Sequence, residues 1–189
     1  MTSYYSQEEL AALGLKAYGQ DVRISRKASL YGVERIRLGD HVRIDDFCLL
    51  SGTIELGSYV HLAVGALLYG GEAGIFMGNY STLSSRCAVY ALSDDYSGAA
   101  MTNPTVPEAY TGVRQAPVEL GRHVIVGSGS TILPGVTVAE GCALGAMTLL
   151  QRSTEPWGIY YGVPARRQAE RSRELLELCR KLEAERSEH

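Results

Sequence analysis

At 189 residues, 46% of them hydrophobic and 21% charged, with a formal net charge of -3, the chain has the size and apolar content of one domain with its own core. Bases are scattered through the body and interleaved with acids at the C-terminus, which leaves no electrostatic footprint for nucleic acid. No window approaches the roughly 20 apolar residues that cross a bilayer, and Met1 to Tyr5, running into Ser6-Gln7-Glu8-Glu9, supply neither a basic nor an apolar leader segment, which points to a cytoplasmic protein.

In chain order, Ser6 followed by Glu9 reads as a capping box that opens a short helix through Leu13, with Gly14 placed to stop it over the first coil. From Leu38 an aliphatic or Met residue then recurs every six positions: from Leu38 to Leu68, at Met77, Leu83 and Val89, and from Leu120 to Leu150. Four residues after most of these comes a small or β-branched side chain, for example Val42, Cys48, Ala66, Ser81, Cys87 and Cys142. Two positions in each six therefore point inward. A period of six fits neither an α-helix nor an alternating strand, and glycines directly after the aliphatic position (Gly39, Gly57, Gly78, Gly121, Gly127, Gly145) mark corners. Three such faces make a triangular coil, and coils stack at roughly 4.8 Å into parallel ladders around a narrow apolar core. The expected fold is mainly β, a parallel β-helix of hexapeptide repeats with a short N-terminal helix and a C-terminal α-helix.

The register breaks twice. Gly70-Gly71-Glu72-Ala73-Gly74 reads as a bulge or corner, and between Val89 and Val118 a loop over residues 91–117 is thrown out of the scaffold, where function usually resides. After Pro164 the run Ala165 to Ser187 reads as a helix with Leu175, Leu178, Cys179 and Leu182 on one packed face. The division is thus 1–164 for the β-helix with its N-terminal helix and inserted loop, and 165–189 for the C-terminal helix.

The register also sorts the polar residues. Cys48, Cys87 and Cys142 fall inward as small fillers, not nucleophiles, and separated core thiols give no disulfide. His41 and His123 fall on variable outward sites, His189 is terminal, and the spacing of the histidines does not suit a metal site. His61, just before Leu62, and Ser84, just after Leu83, form a polar pair on one outer surface. In the long loop, Asp94 and Asp95 precede Tyr96-Ser97-Gly98, either as an Asx turn or as a carboxylate at a subunit groove.

The segment Gly121-Arg122-His123-Val124-Ile125-Val126-Gly127-Ser128-Gly129-Ser130-Thr131-Ile132-Leu133-Pro134-Gly135-Val136-Thr137, together with Gly162-Val163-Pro164-Ala165-Arg166, resembles the hexapeptide-repeat acyltransferases. That resemblance implies a left-handed β-helix, a homotrimer, and acyl-CoA as co-substrate in the cleft between neighbours. By position it implies Gly127, Ser128, Ala146, Arg166 and Arg167 as the cleft-lining residues, with backbone N–H groups for the pantetheine amides and arginines for the phosphates. Galactoside and streptogramin acetyltransferases carry a catalytic His where this chain has Ser93-Asp94-Asp95-Tyr96, so their base does not transfer. With Tyr69-Gly70-Gly71 and Glu155-Pro156-Trp157-Gly158-Ile159-Tyr160, the chain is closer to the N-acyltransferases of dTDP-4-amino-4,6-dideoxyglucose of the anthrose-pathway type.

The expected activity is therefore transfer of an acyl group from acetyl-CoA or another acyl-CoA to the amine of a nucleotide-linked amino sugar, for surface polysaccharide or glycan synthesis, without a metal. A neutral amine attacks a thioester without the strong base a hydroxyl needs. Asp94 is expected to orient the amine and take its proton, Ser84 to assist by a hydrogen bond, and His61 to lie nearby. The alternatives are O-acylation of a sugar or polysaccharide hydroxyl with His61 as base, and a non-catalytic β-helix scaffold.

Overall fold

The computed structural model describes residues 3–187; His189 lies outside them. Helix α1, Gln7–Ala12, is capped as its sequence dictates. The Ser6 hydroxyl accepts from Glu9 N–H, Glu9 reaches back to Ser6 N–H, and Gly14 follows at φ +76°. Leu10, fully buried, plugs the first coil.

From there the chain climbs as a parallel β-solenoid of about 7 turns. Its first face runs through Ser29–Tyr31, the starts of the long strands Leu49–Leu56 and Leu67–Met77, then Ala88–Tyr90, Thr131–Ile132 and Leu149–Leu150. The second face holds Ala17–Tyr18, Ile36–Leu38, the ends of the long strands, Val118–Leu120 and Thr137–Val138. The third carries Arg23–Ile24, Arg43–Ile44, His61–Leu62, Thr82–Leu83, Ile125–Val126 and Ala143–Leu144, topped by Gly158–Gly162. Every six-residue aliphatic position from Leu38 to Leu150 is buried, and so are the small inward residues. The polar fillers are satisfied within the wall, since Ser81 Oγ donates to Gly78 O at 2.7 Å and Ser130 Oγ to Gly145 O at 2.9 Å. Cys48 and Cys87 likewise point at carbonyls, Ala63 O at 3.3 Å and Gly127 O at 3.2 Å, and burial pushes both thiols up, away from the reactive thiolate.

The three corners differ. At the loop corner, between first and second faces, the glycine run 70–74 is a bulge that shifts the register against Gly52. One coil later the chain leaves at Ala91 and returns at Ala116, whose N–H donates to Ala91 O at 2.9 Å. At the helix corner, between second and third faces, each coil passes through a left-handed residue: His41, Tyr59, Tyr80 and His123 have φ between 54 and 61°. Such backbone is costly for side-chain-bearing residues. Here the rings stack at 4.6, 5.0 and 5.1 Å between centroids and the corner is repeated coil upon coil. His123, expected on the surface, is only 7% exposed, because this stack and the C-terminal segment enclose it.

The C-terminal segment also departs from expectation. It does not become helical at Ala165: Ala165–Glu170 returns antiparallel on Gly158–Gly162 and covers the open edge of the third face. Only then does helix α2, Leu175–Ser187, lie against the helix corner. Cys179 is buried, but Leu178 and Leu182 stay 66% and 39% exposed. Docking instead comes from Tyr80 Oη donating to Glu183 at 3.1 Å, Arg122 pairing with Glu183 at 3.0 Å, and the Arg186 guanidinium 5.1 Å over the Tyr59 ring. Arg171, leading in, donates to His123 O at 2.7 Å and Gly141 O at 2.9 Å.

Candidate active site

The long loop is held at its neck by antiparallel pairing of Leu92–Ser93 with Arg114–Gln115. Beyond the neck the two neighbouring aspartates separate in role. Asp95 is the turn-maker: its carboxylate accepts from Ser97 Oγ at 2.7 Å, Ser97 N at 3.0 Å and Ala100 N at 3.0 Å. The Ser97 hydroxyl, then the backbone donors, pull its pKa down to about 2. Asp94 takes no part in that turn. It lines a cavity of about 1050 Å³ between the loop and the first face. The cavity floor includes Tyr69 and Tyr90, which sit one coil apart with rings nearly parallel (4°) and centroids 5.0 Å apart. Glu108 is the second carboxylate, and among the described residues lining the cavity none is basic.

Ser84 lies elsewhere, at the serine corner between third and first faces. Its backbone N–H donates to Val126 O at 2.9 Å, and Gly127 follows one coil above, donating to Leu144 O at 2.8 Å. The corner is narrow there: a Cβ on Gly127 would lie 2.5 Å from Ala146 N. Gly127 N–H is thus committed to the ladder, whereas the N–H groups of Ser128 and Ala146 make no hydrogen bond within the described residues. Exposed Phe47, Val64 and Met147 flank this corner. Neither Ser84 nor His61 lines the cavity at Asp94, so within one chain the three polar residues do not meet.

His61 stands over Thr82 in the third-face ladder and turns away from Ser84 toward the preceding coil. Its Nε2 lies 2.8 Å from Asp45 Oδ2, while Asp45 Oδ1 accepts from Arg43 at 2.7 Å and from Tyr4 Oη at 3.2 Å. Burial alone would raise the Asp45 carboxyl, but the His61 and Arg43 donors outweigh it and hold it below the usual range. Arg166 and Arg167 border a smaller cavity of about 240 Å³ on the closing hairpin, with Arg152 as a third cation; Arg167 is paired with Glu170.

Sequence reasoning missed Asp45, because its partnership with His61 crosses from one coil to another. It also passed over Arg152 and Asn103 and did not assign Tyr69 and Tyr90 to one column. The latter two each follow an inward aliphatic residue, Leu68 or Val89, so the same register contained their placement. Among the described residues no group of three or more His, Cys, Asp or Glu side chains is placed to hold a metal ion, and no helix is long and apolar enough to cross a membrane.

No family model matches the chain. It is, however, 40% identical over 179 residues to an Escherichia coli dTDP-4-amino-4,6-dideoxy-D-glucose acyltransferase, covering 93% of both chains. The chain belongs to the dTDP-4-amino-4,6-dideoxyglucose acyltransferases. As a member it is an acyltransferase with the hexapeptide-repeat solenoid as its scaffold. Solved structures agree. AntD, an N-acyltransferase from Bacillus cereus, superimposes with a TM-score of 0.96 at 46% identity, over 99% of this chain and 100% of that one, in its complex with dTDP and 3-hydroxybutyryl-CoA. The S84A variant of AntD, in complex with dTDP-4-amino-4,6-dideoxyglucose and coenzyme A, gives the same score and identity over 98% and 100%.

Proposed function

We propose that the chain transfers an acyl group from acyl-CoA to the 4-amine of dTDP-4-amino-4,6-dideoxyglucose, working as a homotrimer in the cytoplasm and feeding surface glycan synthesis. The observation that carries this reading is the likeness over nearly the whole chain to an N-acyltransferase that binds this sugar nucleotide and coenzyme A. A cavity with two carboxylates and no base among its described lining residues suits a ligand end that bears an amine.

In the proposed reaction the neutral amine attacks the thioester carbon, the C–N bond forms, and the C–S bond then breaks to release the coenzyme A thiol. Asp94 orients the amine and accepts its proton, which passes on to the departing thiolate. The Ser84 hydroxyl donates to the carbonyl oxygen as negative charge grows there. The N–H groups of Ser128 and Ala146, beside Gly127, meet the pantetheine amides, and Arg166, Arg167 and Arg152 meet phosphates. His61, held by Asp45, is a secondary contact and not the base.

The separation of the parts supports an assembly of copies, and the number three is taken from the resemblance to the hexapeptide-repeat acyltransferases. Asp94 hangs from the loop corner and Ser84 sits at the serine corner, so the reaction needs the loop of one copy against the serine corner of the next. Exposed Tyr96, Met101 and Tyr110 on the loop, with Phe47 and Met147 at the corner, supply the apolar contact. The test is thiol release from acetyl-CoA and 3-hydroxybutyryl-CoA, with dTDP-4-amino-4,6-dideoxyglucose and with the matched sugar bearing a hydroxyl. Turnover confined to the amine upholds the reading, and turnover confined to the hydroxyl overturns it. Sedimentation equilibrium measures the number of copies.

A further inference from the structure

One side chain in the loop cavity is fixed more firmly than its exposed position requires. Asn103 lines the cavity and sits at φ +75°, a left-handed conformation that Asn tolerates better than most residues. Its Oδ1 accepts two hydrogen bonds, from Thr105 N at 3.0 Å and Thr105 Oγ1 at 2.6 Å. Because a backbone N–H can only donate, the atom facing it is the oxygen and the orientation of the carboxamide is settled. The Nδ2 group is thereby left as a directed donor with no hydrogen bond to any described residue. Across the same cavity the phenol of Tyr90 is pushed up by burial, then by Tyr69 and Tyr96, so it too stays a neutral donor.

We infer that Asn103 is a specificity-determining residue for the acceptor, its carboxamide donating to an oxygen of the pyranose while Asp94 holds the amine. The inference rests on the cavity being the acceptor site. The sugar end is favoured over the diphosphate by charge, since Asp94 and Glu108 border the cavity without a described basic residue to offset a diphosphate. A donor already locked by two bonds loses little freedom on meeting its ligand, which is how one neutral hydrogen bond becomes useful for discrimination.

Asn103→Asp separates this role from a structural one. The aspartate keeps the oxygen that accepts from Thr105, so the turn survives, but it replaces the donor by a second acceptor. The expected result is a KM for the amino sugar raised about tenfold or more, the size of one lost hydrogen bond with a partner left unpaired. KM for acyl-CoA and the melting temperature should stay near wild type. Asn103→Gly, which accepts the left-handed backbone and removes the donor without adding a repulsive oxygen, should raise the sugar KM by less. An unchanged sugar KM in both variants, or an increase in the acyl-CoA KM instead, overturns the inference. A matching rise in the Kd of dTDP alone overturns the assignment of Asn103 to the sugar end. Absence of any wild-type turnover with the amino sugar overturns the reading of the cavity and the inference with it, whereas wild-type turnover with an unresponsive Asn103→Asp overturns the inference alone.

Discussion

A matched pair of corner glycines tests the packing and the division of labour together. At Gly127, on the serine corner, an added Cβ would lie 2.5 Å from Ala146 N and 2.6 Å from Gly145 C. At Gly78, on the helix corner, it would lie 2.7 Å from Arg122 N and 2.9 Å from Gly121 C. In both cases the obstacle is backbone of the next coil, which cannot rotate away, so neighbouring coils must part. Overpacking of this kind costs about 1–3 kcal/mol. For a chain of this length that is roughly 2–12 °C in melting temperature, at about 2–4 °C per kcal/mol. Gly127→Ala and Gly78→Ala should therefore melt at similarly lowered temperatures by calorimetry. Their kinetics should diverge: parting the coils at the serine corner displaces Ser128 and Ala146, so KM for acyl-CoA rises in Gly127→Ala and stays near wild type in Gly78→Ala. Wild-type melting of both variants refutes the account of the corners, and equal effects on the acyl-CoA KM refute the placement of acyl-CoA at the serine corner.

Asp94→Asn should lower kcat/KM for the amino sugar by at least about a hundredfold, the usual size of a proton-transfer role, and near wild-type values in steady-state assays would remove Asp94 from the reaction. Asp95→Ala should lower the same parameter by loosening the loop, with amide hydrogen exchange rising over residues 95–100 and the solenoid unaffected. His61→Ala should reduce turnover far less than Asp94→Asn, while Asp45, stripped of one donor, titrates at a higher pH by NMR. His123 carries a pH dependence. Its imidazole is pushed below its ordinary value of 6.5 by burial first, then by Arg122, with Arg171 adding and Glu140 and Glu183 opposing. A depressed folded value means the unfolded chain binds the proton more readily, so this stability is present above about pH 6.5 and is lost as pH falls from there toward the folded value. His123→Phe should flatten that part of a melting-temperature profile, and identical slopes in the two proteins would exclude His123 as the source.

Most of the scaffold was legible because a six-residue period leaves little choice. Leu83 and Cys87 had to face inward and Gly78 and Gly127 had to turn, and those assignments place every coil between Leu38 and Leu150. The capping box at Ser6 and Glu9 was equally local. What escaped was non-periodic. Ala165–Glu170 reads as the start of a charged helix, yet the open edge of the third face recruits it as a strand, an influence from outside the segment. Leu178 and Leu182 look like part of a packing stripe with Cys179, but the helix docks through the adjacent face of Cys179, Glu183 and Arg186 against the stacked rings. In the site, Asp94 is the loop carboxylate the sequence singles out, whereas the turn-closing role of Asp95 emerges only on folding. The pairing of His61 with Asp45 depends on which way a side chain leans between coils, which periodicity does not encode.

The hydrogen bond from Ala116 N to Ala91 O closes the base of the long loop, so the solenoid below and above it proceeds as if nothing had been inserted. The loop therefore behaves as an exchangeable cassette. A graft cut at Ala91 and Ala116 would carry Asp94, Asn103 and Glu108 together and leave Gly127, Ser128 and Ala146 on the host. On the proposed assignment, donor choice then lies in the coils alone, whereas acceptor choice is shared between the loop and the coil residues Tyr69 and Tyr90 that floor its cavity.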